Sequence, residues 1–104
     1  MNRHTVRFTE AAEADLLRLY DYLIERTPGG DTQVAARALE SIQRGIDVLR
    51  LLPYTCRKAT PDNPYLRELV IPFGAAGYVA LFEIEPDHLV TVLAVRHQRE
   101  SDYH

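Results

Sequence analysis

Polar and apolar residues alternate from His4 to Phe8, the period of a strand with one face buried. Thr9 stands where a hydroxyl caps a helix, and Glu10 and Glu13 sit where the first turn favours negative charge. From there the period changes. Leu16, Leu19, Tyr20, Leu23 and Ile24 recur at helical spacing on one face, while Arg18, Asp21 and Glu25 fall off it. Thr27-Pro28-Gly29-Gly30 breaks this helix, and Asp31 or Thr32 is placed to cap the next. Ala35, Leu39, Ile42, Ile46 and Leu49 then step by 4, 3, 4 and 3. The spacing predicts a second helix of about 20 residues, roughly 30 Å long, packed antiparallel on the first across a short loop. Pro53 ends it.

Pro53 to Pro64 carries three prolines and no periodic pattern, and reads as a loop holding Arg57 and Lys58. Three strands follow. Tyr65 to Phe73 puts Arg67, Leu69, Ile71 and Phe73 on one face; Gly74-Ala75-Ala76-Gly77 turns the chain; Tyr78 to Glu85 puts Tyr78, Ala80, Phe82 and Ile84 on one face. After a turn at Glu85-Pro86-Asp87-His88, Leu89 to His97 is rich in β-branched residues and reads as the most buried strand. Residues 98–104 form a polar tail. With no repeat, low-complexity tract or linker, residues 1–104 are one α+β domain in the order β-α-α-β-β-β. A helical hairpin is packed on one face of a mostly antiparallel sheet.

Composition narrows the chemistry. With 46% hydrophobic and 26% charged residues the chain can bury a core, which excludes disorder as its main state. A net charge of −3 does not favour nucleic acid as a general partner. One cysteine, Cys56, forms no intrachain disulfide and no Cys-based metal site by itself, and His4, His88, His97 and His104 lack ligand spacing. The glycines form no phosphate cradle, so no cofactor is expected. Residues 1–9 lack an apolar signal region and no apolar run reaches membrane-spanning length, which points to the cytoplasm.

Several segments together resemble the ParE/RelE toxins of type II toxin–antitoxin systems, which include plasmid stabilisation proteins. Phe8-Thr9-Glu10-Ala11-Ala12-Glu13-Ala14-Asp15-Leu16 resembles the family's helix entry, Ala-x-x-Asp-Leu after a strand. Tyr20-Asp21-Tyr22-Leu23, Leu49-x-x-Leu52-Pro53 and Leu66-Arg67-Glu68-Leu69 resemble its mid-helix aromatic segment, second-helix end and Leu-Arg-x-Leu strand. Gly77 to Phe82 and Val92 to Arg99, closing on His97-Gln98-Arg99, are similar to its last two strands. The resemblance spans nearly the whole chain. It implies a cognate antitoxin whose C-terminal segment holds the toxin inactive in a hetero-oligomer. It also implies one of two targets: ParE-like members poison DNA gyrase, and RelE-like members cleave messenger RNA on the ribosome. A third reading is an inactive member that only binds its partner.

An RNase would need a proton acceptor, a proton donor and cations on the phosphorane. The candidates are Arg67, His97, Arg99 and Tyr103, with Arg96 and His104 beside them. From Arg50 onward, however, six basic residues face seven acidic ones, and a protein docking into ribosomal RNA gains from a basic excess. The gyrase branch is therefore favoured, as a protein-binding inhibitor without a catalytic site. A two-helix hairpin leaves part of a sheet uncovered. Tyr20, Leu23, Tyr54, Tyr78 and Phe82 are expected in the resulting groove, where a tyrosine packs its ring and keeps its hydroxyl wet. An antitoxin segment would fill it as a helix or add a strand to the sheet edge, with Arg67 and Arg99 meeting its acidic residues.

Overall fold

The structure, a computed structural model, describes residues 3–26, 29, 32–74 and 76–98. Strand β1 (Thr5–Phe8) leads into helix α1 (Glu10–Arg26), and helix α2 (Gln33–Leu51) runs into a single 3₁₀ turn, Pro53–Thr55. Strands β2 (Arg57–Thr60), β3 (Asn63–Phe73), β4 (Ala76–Glu85) and β5 (Leu89–His97) follow. They form one sheet in the order β1-β5-β4-β3-β2, parallel between β1 and β5 and antiparallel elsewhere. The helices pack on one face, α1 over β5 and α2 against β1 and β3. The chain is thus α+β, as its periodicity predicts.

The predicted stripes mostly become core. Ala35, Ile42, Ile46 and Leu49 of α2 are buried, with Leu39 packed against them, and Leu19 is buried on α1. In register, Leu69 faces Ala80, Ile71 faces Tyr78, and Phe82 faces Val92, so both strand faces assigned from alternation lie under the hairpin. Gly45 lets α2 approach β3 closely: a Cβ there would stand 2.9 Å from Ile71 Cγ1. Thr9 caps α1 as expected, its hydroxyl accepting from the Ala12 N–H at 3.1 Å. Thr32 makes no side-chain cap on α2, and Asp31 lies outside the described residues.

Two expectations are corrected. The segment Pro53–Pro64 is not a plain loop: Arg57–Thr60 pairs with β3 as a short edge strand, and β3 begins at Asn63. A four-residue strand reading Arg-Lys-Ala-Thr has no hydrophobic alternation, because an edge strand with polar residues keeps other strands away. The turn before β4 is also tighter than expected, with β4 starting at Ala76.

The outer side of β5 is completed in an unusual way. β1 ends opposite Val92, and an irregularity between Leu81 and Phe82 carries the β4–β5 register past Leu93. Beyond that point no strand lies outside β5 in the described sheet. Side chains of α1 take over. The Thr9 hydroxyl donates to the Leu93 carbonyl at 3.3 Å, and the buried Val95 N–H donates to Asp15 Oδ2 at 2.9 Å. Asp15 is only 6% exposed, and its other oxygen accepts from Arg18 at 2.8 Å. A carboxylate inside an apolar helix face is there to satisfy a backbone donor that would otherwise be buried bare.

Candidate functional site

Arg67, expected either at a phosphorane or against an acidic antitoxin residue, is engaged within the chain by backbone carbonyls. Its Nε donates to the Pro64 carbonyl at 2.7 Å, and its Nη1 to the carbonyls of Tyr54 and Cys56 at 3.0 and 2.8 Å. Its guanidinium also lies 5.5 Å from the centroid of the Tyr54 ring. The turn from α2 into β2 leaves carbonyls with no ladder partner, and a planar, multi-donor guanidinium reaches several at once. Arg67 therefore fastens the 3₁₀ turn to β3. The neighbouring Glu68 pairs with Arg57 at 3.1 Å instead. Cys56 sits beside this clamp, half-buried. Burial pushes its thiol pKa up, against smaller opposing pulls from Arg67 and a Thr55 hydrogen bond, so it offers little thiolate.

The other expected residues separate. Phe82 and Tyr78 are 0% and 2% exposed and belong to the core, so they do not line an open groove in this chain. The reason is topological: β4 is the central strand of five and lies beneath the hairpin. Burial also raises the pKa of the Tyr78 phenol. Tyr20 and Leu23 are half-buried, Leu23 against the core cluster. Tyr54 is open. His97 packs edge-on against Tyr78, with ring centroids 5.7 Å apart. Arg99, Tyr103 and His104 lie outside the described residues. Two histidines that are far apart in sequence, His4 and His88, pack with tilted rings, centroids 5.3 Å apart.

Open apolar surface gathers elsewhere. Val48, Leu51, Leu52, Tyr54, Tyr65 and Val70 are all exposed, and they belong to the end of α2, the turn after it, and β3. Two clefts open in this region. One, of about 330 Å³, is lined by Ser41, Arg44, Gly45, Val48 and residues 69–72. The other, of about 360 Å³, is lined by Tyr54, Tyr65, Ile84, Glu85 and Pro86. Sequence reading missed Val48, Tyr65 and Val70. The available signal was parity: Val48 is apolar off the core stripe of α2, and Val70 is apolar on the strand face opposite Leu69 and Ile71. Ion pairs among the described residues join Arg7 to Glu85, Arg18 to Asp15, Arg50 to Asp47 and Arg57 to Glu68. Arg44 and Lys58 are not among them. A cleft with an apolar lining and, in Arg44, a cation without a carboxylate partner among the described residues suits an acidic, apolar protein segment better than a small molecule.

Comparison with known proteins identifies the family. A family model described as the ParE toxin of the type II toxin–antitoxin system parDE matches residues 6–102. The chain belongs to this family. A curated relative, Toxin RelE3 of Caulobacter vibrioides, is 30% identical over 96 residues, covering 92% of this chain and 96% of its own length. A solved structure from the chromosomal ParDE TA system of P. aeruginosa superposes with a TM-score of 0.69 at 19% identity. That match covers 90% of this chain and 95% of the other, and shows a shared fold. The protein is a type II toxin of the ParE/RelE kind. In this ParE-family toxin the helix entry Ala12-x-x-Asp15-Leu16 has a physical reading. Ala12 is fully buried and takes the Thr9 cap, and Asp15 closes the outer side of β5.

Proposed function

We propose that this toxin halts bacterial growth by binding DNA gyrase, not by cutting RNA, and that a cognate antitoxin neutralises it in the cytoplasm by covering the apolar strip between Val48 and Tyr65. The observation that carries the choice of target is the engagement of Arg67. A nuclease needs a guanidinium or ammonium free to meet the phosphorane, and this one holds three backbone carbonyls. The ParE family match and the lack of a basic excess from Arg50 onward favour the same branch. A protein-binding inhibitor needs no proton donor or acceptor, only a surface. This chain has exposed Leu51, Leu52, Tyr54 and Tyr65 at the end of α2 and the start of β3.

The test is direct. Purified toxin added to DNA gyrase should inhibit supercoiling of relaxed plasmid or trap cleaved DNA, and the antitoxin should reverse the effect at stoichiometric ratio. Full gyrase activity at toxin concentrations that stop growth in cells would reject the gyrase target. No growth arrest at verified soluble expression would identify an inactive, binding-only member.

A further inference from the structure

β1 joins the sheet in parallel, with Thr5 opposite Leu89. One residue earlier on each side stand His4 and His88. The backbone holds both in place. The His4 N–H donates to the Arg50 carbonyl at 2.7 Å, and the Thr5 N–H donates to the His88 carbonyl at 2.7 Å. The two imidazoles meet with centroids 5.3 Å apart and planes inclined by 58°. Their spacing in the chain carries no ligand motif; the parallel register makes the pair.

Ring packing alone does not account for this pair. His4 Nδ1 is buried, and no group among the described residues hydrogen-bonds to it. A buried polar atom left without a partner is uncommon, and a bound ion is one of the few things that satisfies it. The distance fits such an ion. Two imidazoles bound through one nitrogen each, at about 2.1 Å from a tetrahedral ion, hold their centroids roughly 5 Å apart. The backbone is also unusual. Asp87 and His88 have φ of 64° and 59°, a left-handed conformation that glycine adopts at lower cost, yet an imidazole stands there. His88 is exposed, so an ion reaches the pair from solvent. Asp87 beside it is exposed too and joins none of the ion pairs among the described residues, which leaves a negative charge next to the rings.

We infer that His4 and His88 chelate a divalent transition-metal ion of the zinc, nickel or copper class, through one nitrogen of each ring, and that the ion pins β1 to the turn between β4 and β5. Imidazole is a good ligand for these ions, whereas magnesium and calcium prefer oxygen. No third histidine, cysteine or carboxylate completes a set of three among the described residues, so water fills the remaining positions. With two protein ligands the site binds less tightly than a four-ligand structural zinc centre, and copper(II) binds above nickel and zinc. Its effect is on the fold. β1 has four residues, and an ion shared between His4 and the turn before β5 ties its first end down.

The test uses the full-length chain without a polyhistidine tag. Calorimetry should show one Zn²⁺, Ni²⁺ or Cu²⁺ bound per chain and no binding of Mg²⁺. His4→Phe keeps a ring at this position, and His88→Asn supplies a residue that adopts left-handed backbone readily. Each should weaken binding by about tenfold or more, because one of two ligands is lost. A chain carrying His97→Gln and His104→Ala should bind like wild type. Opening of β1 from β5 separates the two ligands and must first release the ion. At free Zn²⁺ roughly ten times its dissociation constant, amide exchange of Thr5 should therefore slow about tenfold in wild type and stay unchanged in His4→Phe. Affinity that survives both His4→Phe and His88→Asn, or that vanishes with His97→Gln and His104→Ala, places the ion elsewhere and rejects the inference. Thr5 exchange that ignores saturating Zn²⁺ rejects it as well.

Discussion

Replacing Asp15 with alanine should lower the stability of the folded chain by about 2–3 kcal/mol, the cost of a buried hydrogen bond to a charged group whose partner is left unsatisfied. Asp15 is 6% exposed and accepts the Val95 N–H at 2.9 Å, where no further strand lies outside β5 among the described residues. Alanine would leave that N–H buried with nothing to meet it. The pair with Arg18 adds little, because the arginine is 54% exposed and water screens the interaction. Asp15→Asn keeps an oxygen for Val95 and loses only charge, so it should recover more than half of the loss. Urea denaturation of the three proteins, read by circular dichroism, checks this. Alanine and asparagine variants of equal stability would show that the buried hydrogen bond is not what Asp15 contributes.

The second large effect is at Arg67. Arg67→Ala should cost about 2 kcal/mol, because three carbonyl contacts are lost, two of them exposed, where water replaces them at modest cost, and one part-buried. Arg67→Lys should recover less than half, since one ammonium cannot reach the carbonyls of Pro64, Tyr54 and Cys56 together. The damage should be local before it is global. Amide exchange of residues 54–57 should speed up in conditions where the α2 core still protects. A variant with wild-type stability and unchanged exchange there would mean that the clamp does not hold the turn. If Arg67→Lys matched wild type, charge and not the planar fork would be its contribution.

These two residues also mark where sequence reading stops. The hairpin and the three long strands were legible because burial there is periodic: a 4-3-4-3 stripe from Ala35 to Leu49 and alternation through Tyr78–Ile84 leave few other foldings. The side of each residue was legible too, but not its depth. Tyr78 and Phe82 were placed on the correct face and expected in a groove. Only the strand order, with β4 in the centre, makes them core. β2 was invisible because an edge strand of polar residues has no hydrophobic period. Asp15 was legible only as part of the family's helix-entry motif, with no physical role attached. The need for it arises 80 residues later, at Val95. Arg67 could be read as a cation but not as a clamp, because its acceptors are backbone carbonyls, which every sequence has. The exposed strip was missed for a related reason: Val48 and Val70 stand out only as apolar residues on the wrong parity.

The choice between gyrase and messenger RNA is decided most directly by mapping transcript 5′ ends and chromosomal DNA breaks in the same cells, minutes after induction of this toxin. With Arg67 engaged by three carbonyls, the expected result is broken DNA and a transcript-end pattern unchanged from uninduced cells, both restored to normal by co-expressed antitoxin. New transcript ends in phase with codons, abolished by His97→Ala in a folded protein and accompanied by intact DNA, would contradict it.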